Sequence, residues 1–211
     1  CSIIDEAASR DAQVVFLSTE IIFPDQENGH LEDSSPVPST VYAQQKTDVE
    51  SYIQGRVQRA IIARTGWNVS KKPQSNCPIV NTRNALLSGN AKMARDNWFT
   101  LTDLSDTCSA LLDLIKNKRH GIFHLAANPP VSRIELAEKI IASSSFGEKM
   151  SYEEVNFEDL SYPERRPARA WLRNTKITLE TGHQFSPPLG TIKRKVSIIE
   201  AQLSDPEGMP Q

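Results

Sequence analysis

The chain has 211 residues, of which 24% are charged, and a formal net charge of -2. That length buries a substantial core, in one domain or two small ones. The near-balanced charge argues against nucleic acid or an anionic membrane as partner, and no apolar run approaches the roughly 20 residues that span a bilayer. The three cysteines, Cys1, Cys77 and Cys108, are widely spaced with no CxxC pair, which disfavours a zinc site or a disulfide framework and makes a reducing cytoplasm the default. The sequence opens on Cys1 with no basic-then-apolar leader, a pattern that reads as a truncated record and not as a secreted protein.

Residues 2–10 read as the tail of a helix. Val14 to Thr19 is a short, almost wholly apolar run, the signature of a parallel strand buried on both faces. Residues 20–38 carry Pro24, Asn28-Gly29, Pro36 and Pro38 and read as a loop, with Glu32-Asp33 solvated. Ser39 or Thr40 caps a helix running to about Arg56, with Val41, Val49, Ile53 and Val57 at helical spacing. Ala60 to Thr65 is a second buried strand, and the order strand, helix, strand implies a right-handed βαβ unit and a parallel sheet.

After Gly66 the pattern loosens. Residues 70–78 are polar, with Lys71-Lys72 as exposed loop charge, and 79–88 form a helix ending at Gly89. A helix from Thr102 or Asp103 to about Lys116 places Leu104, Cys108, Leu111, Leu112 and Ile115 on one side. Gly121 to Leu125 is a third strand, and Ser132 caps a helix carrying Ile134, Leu136, Ala137, Ile140 and Ile141. Residues 150–175 mix strand-like and loop signals, a last amphipathic helix spans about 189–203, and the tail beyond it frays.

Chemistry concentrates at Thr19, Tyr42 and Lys46. On a helix, residues four apart share a face, so Tyr42 and Lys46 point to one spot. A free phenol, with a pKa near 10, exchanges protons poorly at neutral pH, and a neighbouring ammonium favours the phenolate. That pairing suits a general acid or base. A Ser or Thr hydroxyl at a strand's carboxyl end lies where open α/β sheets bind ligands. His120 and His124 are four apart, but on a strand that spacing separates them by about 13 Å, too far for one metal ion. Arg165 and Arg166 have the donors to grip a diphosphate, or they form a solvated basic loop.

These residues carry a resemblance. Ser18-Thr19-Glu20 ending a strand, Pro38-Ser39-Thr40-Val41-Tyr42-Ala43-Gln44-Gln45-Lys46, and Ala63-Arg64-Thr65-Gly66-Trp67 resemble the extended short-chain dehydrogenase/reductases. Within them the chain is most similar to the dTDP-4-dehydrorhamnose reductase group. Further matches are Phe99-Thr100-Leu101-Thr102, Gly121 to Leu125, Ser132 with Glu135-Leu136-Ala137, and Arg166-Pro167. The resemblance implies an α/β fold: a partial Rossmann-like parallel sheet flanked by helices, with a smaller α+β substrate-binding region. It divides the chain into 1–66 (the rear of the Rossmann-like part), 67–98 (an excursion toward substrate), 99–126 (the return to the sheet) and 127–211 (the C-terminal substrate-binding region).

It also implies roles. Thr19, with Ser18 as its rival, binds the sugar carbonyl; Tyr42 donates the proton; Lys46 tunes Tyr42 and, with Tyr42 and Thr65, holds the cofactor. Trp67 and Arg166 contact the nucleotide-sugar. The implied reaction is hydride transfer from NADPH or NADH to a 4-keto sugar nucleotide, with no metal; the resemblance is compatible with a homodimer. The nine glycines never fall within five residues of one another, so the dinucleotide-binding loop of the family is absent from the 211 residues, and the chain alone is expected to transfer no hydride. Ile21 stands where the family has an aromatic, Ala43 where it has glycine, Leu101 where it has proline, and Arg173 where it has aspartate. A non-catalytic nucleotide-sugar binder or regulatory protein on the same scaffold, and a sugar-nucleotide epimerase or dehydratase, stay open.

Overall fold

The computed structural model describes residues 2–70 and 76–204, apart from the side chain of Ser2. Lys71, Lys72 and the expected frayed end beyond 204 lie outside the described residues. In chain order the elements are α1 (Ser2–Ser9), β1 (Val14–Thr19), α2 (Val41–Gln54), β2 (Ala60–Thr65), β3 (Trp67–Val69), α3 (Pro78–Ser88), β4 (Ala91–Ala94) and β5 (Trp98–Phe99). There follow β6 (Leu101–Asp103), α4 (Leu104–Lys116), β7 (Gly121–Leu125), β8 (Val131–Ser132), α5 (Arg133–Ser143), β9 (Tyr152–Val155), α6 (Thr175–Thr181) and α7 (Pro188–Ser204). Local chemistry sets the boundaries. The Thr40 hydroxyl accepts the Ala43 N–H at 3.1 Å to start α2. Gly89, at φ 74°, ends α3 in the left-handed region that glycine enters without steric cost. Ser132 and Glu135 close a reciprocal capping box at the head of α5.

Among the described residues the main sheet has strand order β1-β2-β7, all parallel. Side-by-side partners in register share a face, so Phe16 and Ile62 look one way while Leu17 and Ala63 look the other. The first face packs under α1 and α2, where Ile53, Val57 and Ile62 are buried with Ile4, Val14, Phe16 and Val49 around them. The second packs under α4 and α6, burying Ile61, Ala63, Phe123, Leu125, Ala110, Leu114 and Ile177. A separate core joins α3, α5 and α7 to the short strand pairs, through residues such as Leu86, Leu101, Leu136, Ile140 and Val196. Those pairs, β3 with β6, β4 with β9 and β5 with β8, were not legible in the sequence.

Four sequence expectations change. β1 is not buried on both faces: Val15 is 37% exposed and Leu17 51%, because α4 covers β2 and β7 and stops short of β1. The buried stripe of α4 is Thr107, Ala110 and Leu114, while Leu104, Cys108 and Leu112 are exposed. Val41 is exposed at the head of α2, where the helix overhangs the sheet. Glu32 is not a solvated charge; its carboxylate folds inward and accepts the His124 N–H at 3.1 Å, and burial pushes its pKa up.

Two polar devices fix the frame beneath the cleft. Arg64 of β2 meets Glu50 of α2 at 2.7 Å, both side chains 3% exposed, which anchors the helix on the sheet. Side chains also satisfy backbone groups of the outer strands: Lys176 donates to the Ile122 carbonyl at 2.7 Å on β7, and Lys46 to the Leu17 carbonyl at 2.8 Å on β1.

Candidate active-site cleft

The carboxyl end of β1 separates Ser18 from Thr19. Ser18 shares the α2-side face with Phe16, is buried, and its hydroxyl has no hydrogen-bond partner. Thr19 lies on the other face beside Thr65. It caps the 3-10 turn Glu20–Ile22, with its hydroxyl oxygen 3.5 Å from the Ile21 N–H, a contact weak enough to yield to a ligand. The Thr65 hydroxyl donates to the Ser18 carbonyl at 3.4 Å and is half-buried.

Tyr42 and Lys46 stand near the head of α2, above the same strand end. The Tyr42 ring is 49% exposed. The Lys46 ammonium lies 5.7 Å from the Tyr42 ring centroid and 4.7 Å from that of Phe16, and donates to the Leu17 carbonyl. One ammonium therefore links the proposed proton donor to the strand that carries Thr19.

Beyond Thr19 a narrow cavity of about 60 Å³ is walled by Glu20, Ile21, Trp67, Arg133 and Arg166, among others. It adjoins a cavity of about 460 Å³ on the Arg165 side, and the two share Phe157, Tyr162 and Arg166 in their walls. Trp67 is half-buried, packed on Phe99 at 4.5 Å between centroids with the Arg133 guanidinium 4.0 Å above its ring. Arg166 is exposed over the Tyr162 ring at 5.1 Å. A larger hollow, about 640 Å³, opens at the far edge of the sheet around Leu31, Ile122 and Leu179 and holds none of the residues expected in the site.

Sequence reasoning quoted Glu20 only as part of the Ser18-Thr19-Glu20 strand end and gave neither it nor Arg133 a role, although each adjoins a residue it had singled out, Thr19 and Ser132. Glu20 is 3% exposed, with one carboxylate oxygen accepting the Thr100 N–H at 3.0 Å. Burial outweighs that bond and the one to the Thr100 side chain, raising its pKa from 4.5 to about 8. Gly66 makes room for this contact: a Cβ there would lie 2.5 Å from the Thr100 Cβ and 2.6 Å from the Glu20 carboxylate. His124, fully buried, belongs to the core. Burial first and Arg64 second press its pKa down to about 3, so it is neutral, and the Arg173 carbonyl 3.1 Å from Nδ1 assigns the proton to that nitrogen. Among the described residues no group of three or more His, Cys, Asp or Glu is placed to hold a metal ion.

Comparison with known proteins bears on the fold that carries this cleft. A family model, the RmlD substrate binding domain, matches residues 1–195. A dTDP-4-dehydrorhamnose reductase from Clostridium acetobutylicum superposes with a TM-score of 0.84 at 22% identity, over 94% of this chain and 70% of that one. The dTDP-4-dehydrorhamnose reductase from Bacillus anthracis, solved with NADP, gives 0.79 at 20%, over 95% and 69%. The dTDP-glucose 4,6-dehydratase of the same organism, solved with NAD, gives 0.75 at 15%, over 96% and 67%. At these identities the structures share the fold. A search of the curated proteins finds no match.

Proposed function

The chain belongs to the RmlD substrate binding domain family, and from that premise we propose that its cleft is the proton-delivering part of an NAD(P)H-dependent reductase of a nucleotide-linked 4-keto sugar, of the dTDP-4-dehydrorhamnose reductase kind. The observation that carries the reading is the position of Lys46, whose ammonium joins the Tyr42 ring to the end of β1. In this reading the Thr19 hydroxyl donates a hydrogen bond to the keto oxygen. Tyr42 gives that oxygen its proton as the carbonyl carbon gains a hydride, so that C=O becomes CH–OH. Lys46 stabilises the phenolate that Tyr42 leaves behind.

A nicotinamide cofactor, NADP or NAD, supplies the hydride when bound. Lys46, Tyr42 and Thr65 fit its ribose end, since Lys46 and Thr65 place polar atoms at the carboxyl end of β1 and the half-exposed Tyr42 ring lies 5.7 Å from the Lys46 ammonium. Its diphosphate has no matching glycine-rich turn within the 211 residues. Hydride transfer therefore depends on a phosphate-binding loop from outside them, and the 211 residues alone are expected to consume no NADPH. The competing reading, a binder without turnover, is favoured by Ile21 and Ala43, which stand where the family has an aromatic and a glycine.

NADPH consumption with dTDP-4-dehydrorhamnose tests the reading in the protein as the cell makes it. Tyr42→Phe is expected to lower the rate by about 10² or more while dTDP binding persists. Equal rates in the two proteins refute the assignment, and dTDP binding without any NADPH consumption by the wild type favours the binder. A clear NADPH-dependent rate from the 211 residues alone refutes the need for an outside loop.

A further inference from the structure

We propose that residues 24–34 form an acid-released strap across Arg64 of β2 and His124 of β7, with the buried His30 imidazole as its latch. The inference goes beyond the reductase reading and stands apart from it, since the strap is built from the fold and its test uses no nucleotide.

The strap leaves the turn behind Thr19 at Phe23 and lies along residues 169–173, the segment that follows Arg166. Three backbone bonds of 2.9 Å hold it there: the Gln26 N–H donates to the Arg169 carbonyl, the His30 N–H to the Trp171 carbonyl, and the Arg173 N–H to the His30 carbonyl. Gly29 gives the Trp171 ring its seat, because a Cβ there would lie 2.5 Å from that ring. The strap therefore ties together two walls of the cleft, the turn that carries Glu20 and Ile21 and the segment that carries Arg166.

His30 sits in the middle of these contacts and is 1% exposed. Its ring stacks on Phe23 at 4.3 Å between centroids, 5° from parallel. Nε2 lies 2.9 Å from the Pro24 carbonyl, which assigns the proton of the neutral ring to that nitrogen. Nδ1 is buried with no hydrogen-bond partner. A second proton there would create an N–H without an acceptor and a cation shut away from water, and both are costly.

The charges around the ring add to that cost. From β2, the Arg64 guanidinium lies 5.0 Å from the Phe23 ring centroid and is paired with Glu50 of α2. From β7, neutral His124 meets Phe23 edge-on at 6.0 Å. Within the strap, Asp25 accepts the Arg169 N–H at 2.7 Å and Glu32 accepts the His124 N–H at 3.1 Å. Burial holds the His30 pKa below its ordinary 6.5, with Arg64 assisting and the Pro24 carbonyl and Asp25 opposing. The closed strap is therefore at full strength above pH 6.5 and weakens as pH falls below it, because the open strap takes up the proton more readily. Glu32, its pKa raised by burial, works in the opposite sense and favours the closed strap as pH falls. Comparing two proteins that both keep Glu32 and His124 isolates His30.

Hydrogen exchange of the Gln26, His30 and Arg173 amides at pH 7.5 and pH 5.5, in wild type and His30→Gln, decides it. Gln keeps an N–H for the Pro24 carbonyl and does not titrate. At one pH unit below 6.5, proton uptake multiplies the open population by up to about tenfold. The ratio of wild-type to variant protection, each corrected for intrinsic exchange, is expected to fall by several-fold, up to about tenfold, between pH 7.5 and pH 5.5. At pH 5.5 these amides of wild type are also expected to be at least about tenfold less protected than Ile62 in the middle of β2. A ratio constant within twofold overturns the latch. Strap amides as protected as Ile62 overturn the strap, because the whole fold then opens at once. Should His30→Gln not fold, His30→Phe keeps the ring on Phe23 and is read in the same way. The His30 ring, titrated by NMR, is expected below 6.5, and a value at or above 6.5 overturns the proposal.

Discussion

Glu20→Gln turns the buried carboxyl beside Thr19 into a measurement. In the folded chain the Glu20 pKa is raised from 4.5 to about 8, so between those values the native state holds a proton that the unfolded chain has released. Stability from this group is therefore fully present below pH 4.5 and is lost as pH rises through about 8. The slope is about 1.4 kcal/mol per pH unit, and the full span is on the order of 5 kcal/mol. Gln keeps a carbonyl oxygen to accept the Thr100 N–H and removes the titration. Urea unfolding of both proteins between pH 5 and pH 8.5 reads the difference. The variant is expected to gain several kcal/mol on wild type as pH rises across that range. His124, held neutral in the fold, acts with the opposite sign as pH falls through its unfolded value of 6.5 toward about 3, and cancels because both proteins carry it. A stability difference that stays flat across the range would show that Glu20 is ionised in the fold, and the neutral-carboxyl account of the cleft would go with it.

Arg64→Met leaves Glu50 buried without its cation and should cost roughly 3–5 kcal/mol, with Arg64→Met/Glu50→Met recovering part of the loss, both read by urea unfolding. Gly66→Ala drives a Cβ to 2.5 Å from the Thr100 Cβ; a loss of about 1–3 kcal/mol is expected, lowering the thermal midpoint in calorimetry.

The parallel sheet, the helix carrying Tyr42 and Lys46 and the helix cap at Ser132 were legible because each rests on local signals: apolar runs, hydroxyl caps and helical spacing. The two- and three-residue strands β3, β5, β6 and β8 carry no period long enough to read, and they form because remote segments meet, as Trp67 does Leu101 and Phe99 does Val131. Exposure of Val15 and Leu17 was equally hidden, since it depends on how far α4 reaches across the sheet. The cleft divides in the same way. Thr19, Tyr42 and Lys46 stood out as residue types at meaningful spacing. Glu20 and Arg133 acquire significance only from what lies around them: a carboxyl closed in by Gly66 and Thr100, and a guanidinium on Trp67 with no ion-pair partner among the described residues.

Lys46 joins the fold to the chemistry, and its removal separates the two. Its ammonium bonds the Leu17 carbonyl at 2.8 Å and lies over the Phe16 ring at 4.7 Å. Losing a hydrogen bond of this kind costs about 0.5–1.5 kcal/mol, and a partly exposed cation–π contact about 0.5–1 kcal/mol. Lys46→Met should therefore destabilise the chain by roughly 1–2 kcal/mol in urea unfolding, with the apolar stem conserved so that packing on Phe16 contributes little to the change. An unchanged midpoint would mean that the ammonium does not guard the strand. The ammonium has three donors, so Lys46 can hold the Leu17 carbonyl and still reach a cofactor ribose. Hydrogen exchange and turnover measured on the same variant then part the readings: loss of turnover beyond what instability explains belongs to the reductase, and loss of stability alone to the binder.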